Sequence, residues 1–274
     1  MESLIVTLTT IPPRFKYLAA RIDAILRQSV KPSKIEIFVP KIYRRFPGVR
    51  ISPPRFAGLV EVVVVDEDFG PATKLLPALH RWRGESVNLI ICDDDRVQDE
   101  NWISRLVAVK RQRPNDIVCE RGWFLHERSL VLQPVTPAPM AQHAPRGGRT
   151  WRYRLVRGLS GGALHPPRRI YRSGGYVDVF EGFLGVILNP QDLPADPEPL
   201  PTWAYYHDDL WFSGLARVHG KGIWAHDLPR PVFSDRRADK VFALKDDSSF
   251  ETRANLERDG VAWFQEKHQI WCAS

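Results

Sequence analysis

The sequence predicts an α/β protein built on a mostly parallel sheet covered on both faces. Three observations carry that reading. Short β-branched runs alternate with helical patterns over the first 120 residues, the order that generates parallel strands joined by crossover helices. Proline and glycine bound the runs. Acidic residues collect where the runs end, the end at which open α/β sheets bind ligands.

Taken in order, LIVTLTT (4–10) is a strand by composition. Pro12 and Pro13 enforce an extended turn, FKYLAARIDAILRQ follows with apolar residues at helical spacing, and Pro32 ends that helix. IEIFVP (35–40), VEVVVVD (60–66) and VNLIICD (87–93) are further strands. Between the last two, PATKLLPALHRW reads as a helix despite Pro77. DENWISRLVAVKRQR (99–113) is an amphipathic helix with Asp99 as N-cap and Pro114 as stop. Farther along, FEGFLGVIL (180–188) reads as a strand, DDLWFSGLARVHG as a helix, and KGIWAHDLP (221–229) as a strand ending in a histidine.

A chain of 274 residues with 43% hydrophobic content buries a sizeable core. No apolar run is long enough to span a bilayer, and MESLIVTLTTIPPRF lacks the charged start and cleavage site of a leader. Cys92, Cys119 and Cys272 are too few and too scattered for a disulfide framework. A cytoplasmic protein is expected.

The net charge of +7 is unevenly placed. Between Arg121 and Gly175 stand ten arginines, no lysine and one acid, Glu127, so that segment carries +9 and the remainder about −2. It reads as a substrate-facing insertion over 121–175, or as a partly disordered basic loop.

The chemistry concentrates in two acidic motifs. In IICDDDRV, the carboxylates of Asp93, Asp94 and Asp95 repel one another unless something positive, typically a divalent cation, sits among their oxygens. All-oxygen ligands suit Mg2+ or Mn2+. The competing reading is an acidic turn before the helix that starts near Asp99. In YYHDDLWFSG, Asp208 and Asp209 stand at a helix start, where the dipole favours carboxylates. One acid suffices for capping, and the second is a candidate general base.

In this order the pieces resemble the GT-A glycosyltransferases, enzymes that use nucleotide-activated sugars. The resemblance runs through LTTIPPRF, DFGPATKLL, IICDDDRV, FEGFLGVIL, YYHDDLWFSG and GIWAH, over roughly residues 4–230. It implies a Rossmann-type nucleotide-binding sheet with an acceptor-side insertion. The division would be a catalytic domain over 1–234, with a nucleotide-binding half (1–120) and an acceptor-binding half (121–234), and a helical extension over 235–274 that packs on the core or dimerises.

The family's Asp-x-Asp element binds ribose and a divalent metal, and Asp93 and Asp95 match its ends, with Asp94 between. Its acidic pair, more often Glu-Asp, matches Asp208 and Asp209, and the second acid, Asp209, aligns with the base of inverting enzymes. Retaining members share the Asp-x-Asp element, so inversion rests on the acidic pair. The metal ligands implied are Asp95 and His226, the latter alternatively a plain strand-end histidine. Thr9, Thr10, Arg14, Asp66 and Lys74 match positions that hold nucleotide or diphosphate; their alternatives are turn chemistry and a solvated lysine. Glu181 and Gly182 match the strand under the sugar, where glycine permits close approach, though a glycine pair in a bulge explains them equally.

Nine tryptophans exceed the needs of a core, and Trp211 is the one expected to face the acceptor. The implied donor is a nucleoside-diphosphate sugar, a UDP-sugar by preference. The implied acceptor is a glycan, anionic or lipid-linked, and peripheral membrane association would be compatible with the basic segment. Two rival classes are a nucleotidyltransferase, whose usual glycine-rich first loop LTTIPPRF lacks, and a basic nucleic-acid-binding protein. The second leaves the carboxylate pairs unexplained, and no nucleic-acid partner is expected.

Overall fold

Each apolar run of the first hundred residues becomes a strand of one sheet, seen in a computed structural model that describes residues 3–49, 52–161, 166–194, 199–230 and 253–272. In chain order come β1 (Ser3–Thr9), α1 (Phe15–Leu26), β2 (Lys34–Pro40), β3 (Val60–Val65), α2 (Leu76–Trp82), β4 (Val87–Ile91) and α3 (Trp102–Gln112). Then follow β5 (Ile117–Cys119), β6 (Gly122–Trp123), β7 (Gln142–His143), α4 (Trp151–Leu159), β8 (Tyr171–Ser173), β9 (Gly175–Val177), β10 (Val179–Phe180), β11 (Val186–Leu188), α5 (Asp208–Val218) and β12 (Ile223–Ala225). A C-terminal helix spans Arg253–His268.

The central sheet has eight strands in the order β3-β2-β1-β4-β11-β5-β12-β9. The block β3-β2-β1-β4 is parallel throughout, whereas β11 runs antiparallel to both its neighbours and β9 antiparallel to β12. The strand order reverses between β1 and β4, which places a ligand crevice beyond their carboxyl ends. Thr7 pairs with Ile91 there, so the loops after the two strands emerge side by side.

Alternation along β1 and β4 feeds two cores. Val6, Leu8 and Ile90 face Leu18, Ile22 and Ile25 of α1 and Ile103 and Leu106 of α3. Ile5, Leu89 and Ile91 face the layer holding α2, α5 and the C-terminal helix. Strands buried on both faces read as continuous apolar runs, which is why they were legible.

The C-terminal helix belongs to this second layer. Its buried residues Glu257, Gly260, Val261 and Phe264 recur at i, i+3, i+4 and i+7, one helical face. Phe264 fits where Gly214 of α5 has no side chain, and a Cβ at Gly214 would lie 2.1 Å from its ring. The proposed boundary at residue 234 lies outside the described residues.

Four local expectations change. PATKLLPALHRW splits into a 3-10 turn, Gly70–Lys74, and α2, with Pro77 in the first turn where its missing N–H costs nothing. Helix α3 starts at Trp102 rather than at Asp99, whose carboxylate instead accepts the Asn101 N–H (3.1 Å) and two bonds from Arg105 (2.7 and 2.7 Å). FEGFLGVIL is not one strand but β10, a 3-10 turn over Gly182–Leu184, and β11. The Arg-rich segment is folded where it is described, carrying β6 to β9 and α4. Among the described residues, no helix is long and apolar enough to cross a membrane.

Candidate functional site

The crevice at the carboxyl ends of β1 and β4 is a cavity of about 690 Å³, within the range of sites for nucleotide-sized ligands. It is lined by Thr9 at the end of β1, by Thr10 and Arg14 after it, by Asp93, Asp94 and Asp95 after β4, by Lys74, by Glu181, and by Asp208 and Asp209 opening α5. Residues separated by more than a hundred positions therefore share one wall.

The three adjacent aspartates are held differently. Asp94 is buried, with Oδ2 accepting from Thr10 Oγ1 (2.5 Å) and Oδ1 from Arg14 (2.7 Å), so both its oxygens tie β4 to the loop after β1. Asp93 Oδ1 accepts from Lys74 Nζ at 2.7 Å. Burial pushes the Asp93 carboxyl up, but the Lys74 charge outweighs it and holds the pKa below the ordinary value. Asp95 keeps a buried oxygen, Oδ1, without a hydrogen bond, with the Arg96 guanidinium 3.7 Å away. Burial first, then repulsion from Asp93 and Asp94, push its pKa up to about 6.

Lys74 is 2% exposed. Its ammonium joins the two acidic motifs, 2.7 Å from Asp93 and 2.9 Å from Asp208 Oδ2. Burial works against that charge, but Asp208, Asp93 and Asp209 outweigh it and hold its pKa well above the usual lysine value. Asp209 is placed by the backbone N–H of Gly182, which donates to its Oδ1 at 3.1 Å. Burial, then the neighbouring Asp208, push its pKa well up. A Cβ on Gly182 would come within 2.6 Å of that same oxygen and 3.2 Å of Lys74 Nζ.

Three anticipated residues lie elsewhere. Asp66 is 87% exposed, pairs with Lys41 and does not line the cavity. Asp68, two positions on, does: its carboxylate accepts from the Arg44 N–H (2.7 Å), the Gly70 N–H (2.8 Å) and the Tyr205 hydroxyl (2.9 Å). The DxG spacing of an Asx-type turn was the available signal. His226 is buried away from the cavity lining, with Nε2 3.5 Å from Glu120 and Nδ1 accepting the Leu228 N–H. Burial pushes the Glu120 carboxyl up, but His226, Arg105 and Arg230 outweigh it and hold it low. Trp211 has no exposed surface and belongs to the core, and the cavity's aromatic walls are Tyr43, Phe183, Tyr205 and Tyr206.

The C-terminal helix also reaches the site. Buried Glu257 accepts from Arg128 and Arg253 and lies 3.1 Å from His207 Nε2, and all three of those partners line the cavity. Among the described residues, no group of three or more His, Cys, Asp or Glu side chains is arranged as a metal cage.

No family model matches the chain, and no curated protein matches it in sequence. In structure it is similar to S. aureus TarS 1–349, at 13% identity and a TM-score of 0.40, covering 83% of this chain and 58% of that one. The chain thus spans somewhat over half the length of the structure it matches, and at this level the likeness says nothing of what the chain binds or does.

Proposed function

We propose that the protein is a glycosyltransferase that moves a sugar from a nucleoside-diphosphate donor to a hydroxyl acceptor with inversion. The observation that carries the reading is Lys74, whose buried ammonium unites the strand-end and helix-start aspartates in one cavity at the sheet's switch point. The loop after β1 and Arg14 offer donors to a nucleotide, and Asp68 with Tyr205 offers a polar wall.

Asp209 is the base. One oxygen is held by Gly182 and its raised pKa makes it a stronger base, once ionised, than an exposed aspartate. It takes the acceptor hydroxyl proton as that oxygen attacks the anomeric carbon, and the bond from that carbon to the diphosphate oxygen breaks on the opposite face. The diphosphate leaves with the bonding electrons. Glu181, lining the same cavity and paired with Arg121 at 3.1 Å, lies where an acceptor would be oriented.

The Asp95 oxygen that makes no hydrogen bond suits a magnesium- or manganese-class ion, which is commonly held by one or two carboxylates together with substrate phosphates. Such an ion would supply Lewis-acid neutralisation of the leaving diphosphate. His226 is not part of this ligand set, because it contacts Glu120 and does not line the cavity.

The test is thermal shift with a panel of nucleoside diphosphates, with and without manganese, on the wild type and on Asp95→Ala. A manganese-dependent rise with one nucleotide, lost in the variant, supports the reading, and no rise with any nucleotide overturns it. Asp209→Asn should keep nucleotide binding and lower transfer about 10²-fold or more. Full transfer by that variant would remove Asp209 as the base.

A further inference from the structure

Helix α4 turns its apolar side away from the protein. Of its nine residues, WRYRLVRGL, Tyr153 is the buried one. Trp151 is 69% exposed, Leu155 52% and Leu159 82%. At about 100° per residue these three fall within about 80° of one another, on the side nearly opposite Tyr153. The helix is firmly begun, with Thr150 Oγ1 accepting the Tyr153 N–H at 3.3 Å, so the exposed stripe is part of an ordered element.

Among the described residues, those beside the stripe are basic. Arg152 and Arg154 flank it, Arg149 stands just before the helix, and all three are exposed. No acidic residue occurs between Glu127 and Asp178, so the segment brings no carboxylate of its own to Arg149, Arg152 and Arg154. Burial, and then the nearby Arg149 charge, lower the pKa of Arg168, as expected where positive charge is incompletely balanced.

We propose that α4 is an interfacial anchor that lies in the surface of an anionic lipid bilayer. Trp151, Leu155 and Leu159 enter the boundary between headgroups and chains, and the flanking arginines meet lipid phosphates. Charge complementarity selects this occupant. An apolar stripe rimmed by arginine on a helix of about 14 Å is the pattern of a helix that lies in the interface, and anionic headgroups supply the charge that the segment itself lacks. A nucleic acid would satisfy the arginines and could stack a base on Trp151, but it would leave Leu155 and Leu159 without an apolar partner. The inference rests on α4 and stands independently of the transferase reading.

The test is co-sedimentation of the full chain with phosphatidylcholine vesicles, with and without phosphatidylglycerol. Wild type should pellet with the anionic vesicles and be released by salt, and both Trp151→Ser/Leu155→Ser/Leu159→Ser and Arg149→Gln/Arg152→Gln/Arg154→Gln should lose binding about tenfold or more. The substituted side chains are exposed, so unchanged thermal melting of both variants serves as the folding control. As a second measurement, lipids brominated in their chains should quench part of the wild-type tryptophan fluorescence, and that part should vanish in Trp151→Phe. Absence of pelleting, equal binding to neutral vesicles, or full binding by the apolar variant would overturn the proposal. So would a gel shift with single-stranded RNA, lost in the arginine variant, from a protein that ignores vesicles.

Discussion

The two halves of the sheet meet at one cavity but are built differently. Strands β1 to β4 are five to seven residues long and parallel throughout, and their loops deliver Thr10, Arg14 and Asp93 to Asp95. Strands β5, β9, β11 and β12 are three residues each, of mixed direction, and the segments around them deliver Glu181, Asp208 and Asp209, the last held by the Gly182 N–H. The first half is a frame that its own packing fixes. The second half joins that frame through the short antiparallel pairing of β11 with β4 and, at the cavity, through the Lys74 ammonium on Asp208, while Phe264 against Gly214 fixes α5 from its outer side. A site assembled this way should be more sensitive to the contacts between halves than to changes within the frame.

Removing Lys74 is the sharpest way to break the join. Lys74→Ala leaves Asp93 and Asp208 without their shared cation, and loss of one member of a buried ion pair costs about 3–5 kcal/mol. Urea denaturation should report a loss of that size together with loss of nucleotide binding. A cost below about 1 kcal/mol would mean that the halves are held otherwise. Phe264→Ala attacks the same half from its outer side. Deleting a fully buried phenylalanine costs about 3–5 kcal/mol, and here part of that is recoverable if the C-terminal helix settles toward Gly214. Hydrogen exchange should quicken in α5 while β1 amides stay protected, and equal loss of protection in both would contradict the division.

The same contrast explains what could be read from the chain. The frame was legible because strands buried on both faces are continuous apolar runs, and three adjacent carboxylates at such an end invite a chemical explanation. Lys74 was visible as a residue but not as a buried one, since nothing local distinguishes it from a solvated lysine. FEGFLGVIL looked like one strand because its break is tertiary: Gly185 sits at φ +119°, and a Cβ there would lie 2.2 Å from Trp102 Nε1. Trp211 looked like a sugar platform because a surface helix is normally half exposed. Its helix is instead covered by one that begins more than forty residues away, as the i, i+3, i+4, i+7 face of that helix requires. Asp66 and Asp68 differ only in where β3 ends, which patterning locates to within a few residues at best.

Gly182→Ala sharpens the comparison without dismantling either half. The added methyl meets Asp209 Oδ1 at 2.6 Å, so the carboxylate must move off the Gly182 N–H that places it. Stability should change by no more than about 1 kcal/mol, and nucleotide affinity should be nearly preserved because Asp93 to Asp95 are untouched. Transfer should fall about 10- to 100-fold, the scale expected for misplacing a catalytic group by about an ångström. A parallel fall in nucleotide affinity would mean that Gly182 serves the donor side.

The smallest effect expected lies inside the frame, at Asp95. Its pKa of about 6 in the fold stands above the ordinary 3.8, so between those values the native protein holds a proton that the unfolded chain releases. Its contribution therefore becomes steadily less favourable as pH rises through that window, and above it the full penalty of the buried charge is present. Asp95→Asn removes the penalty. Wild type and variant should be equally stable near about pH 4, and by about pH 7 the variant should be the more stable by about 1–3 kcal/mol. Parallel urea curves across the range would mean that Asp95 titrates like a solvated aspartate. Manganese offers the complementary check: added near about pH 7 it should stabilise the wild type alone, and its affinity should fall about tenfold per unit below pH 6 as the carboxylate takes up its proton. An ion that stabilised both proteins equally would have to be held by other oxygens of the cavity.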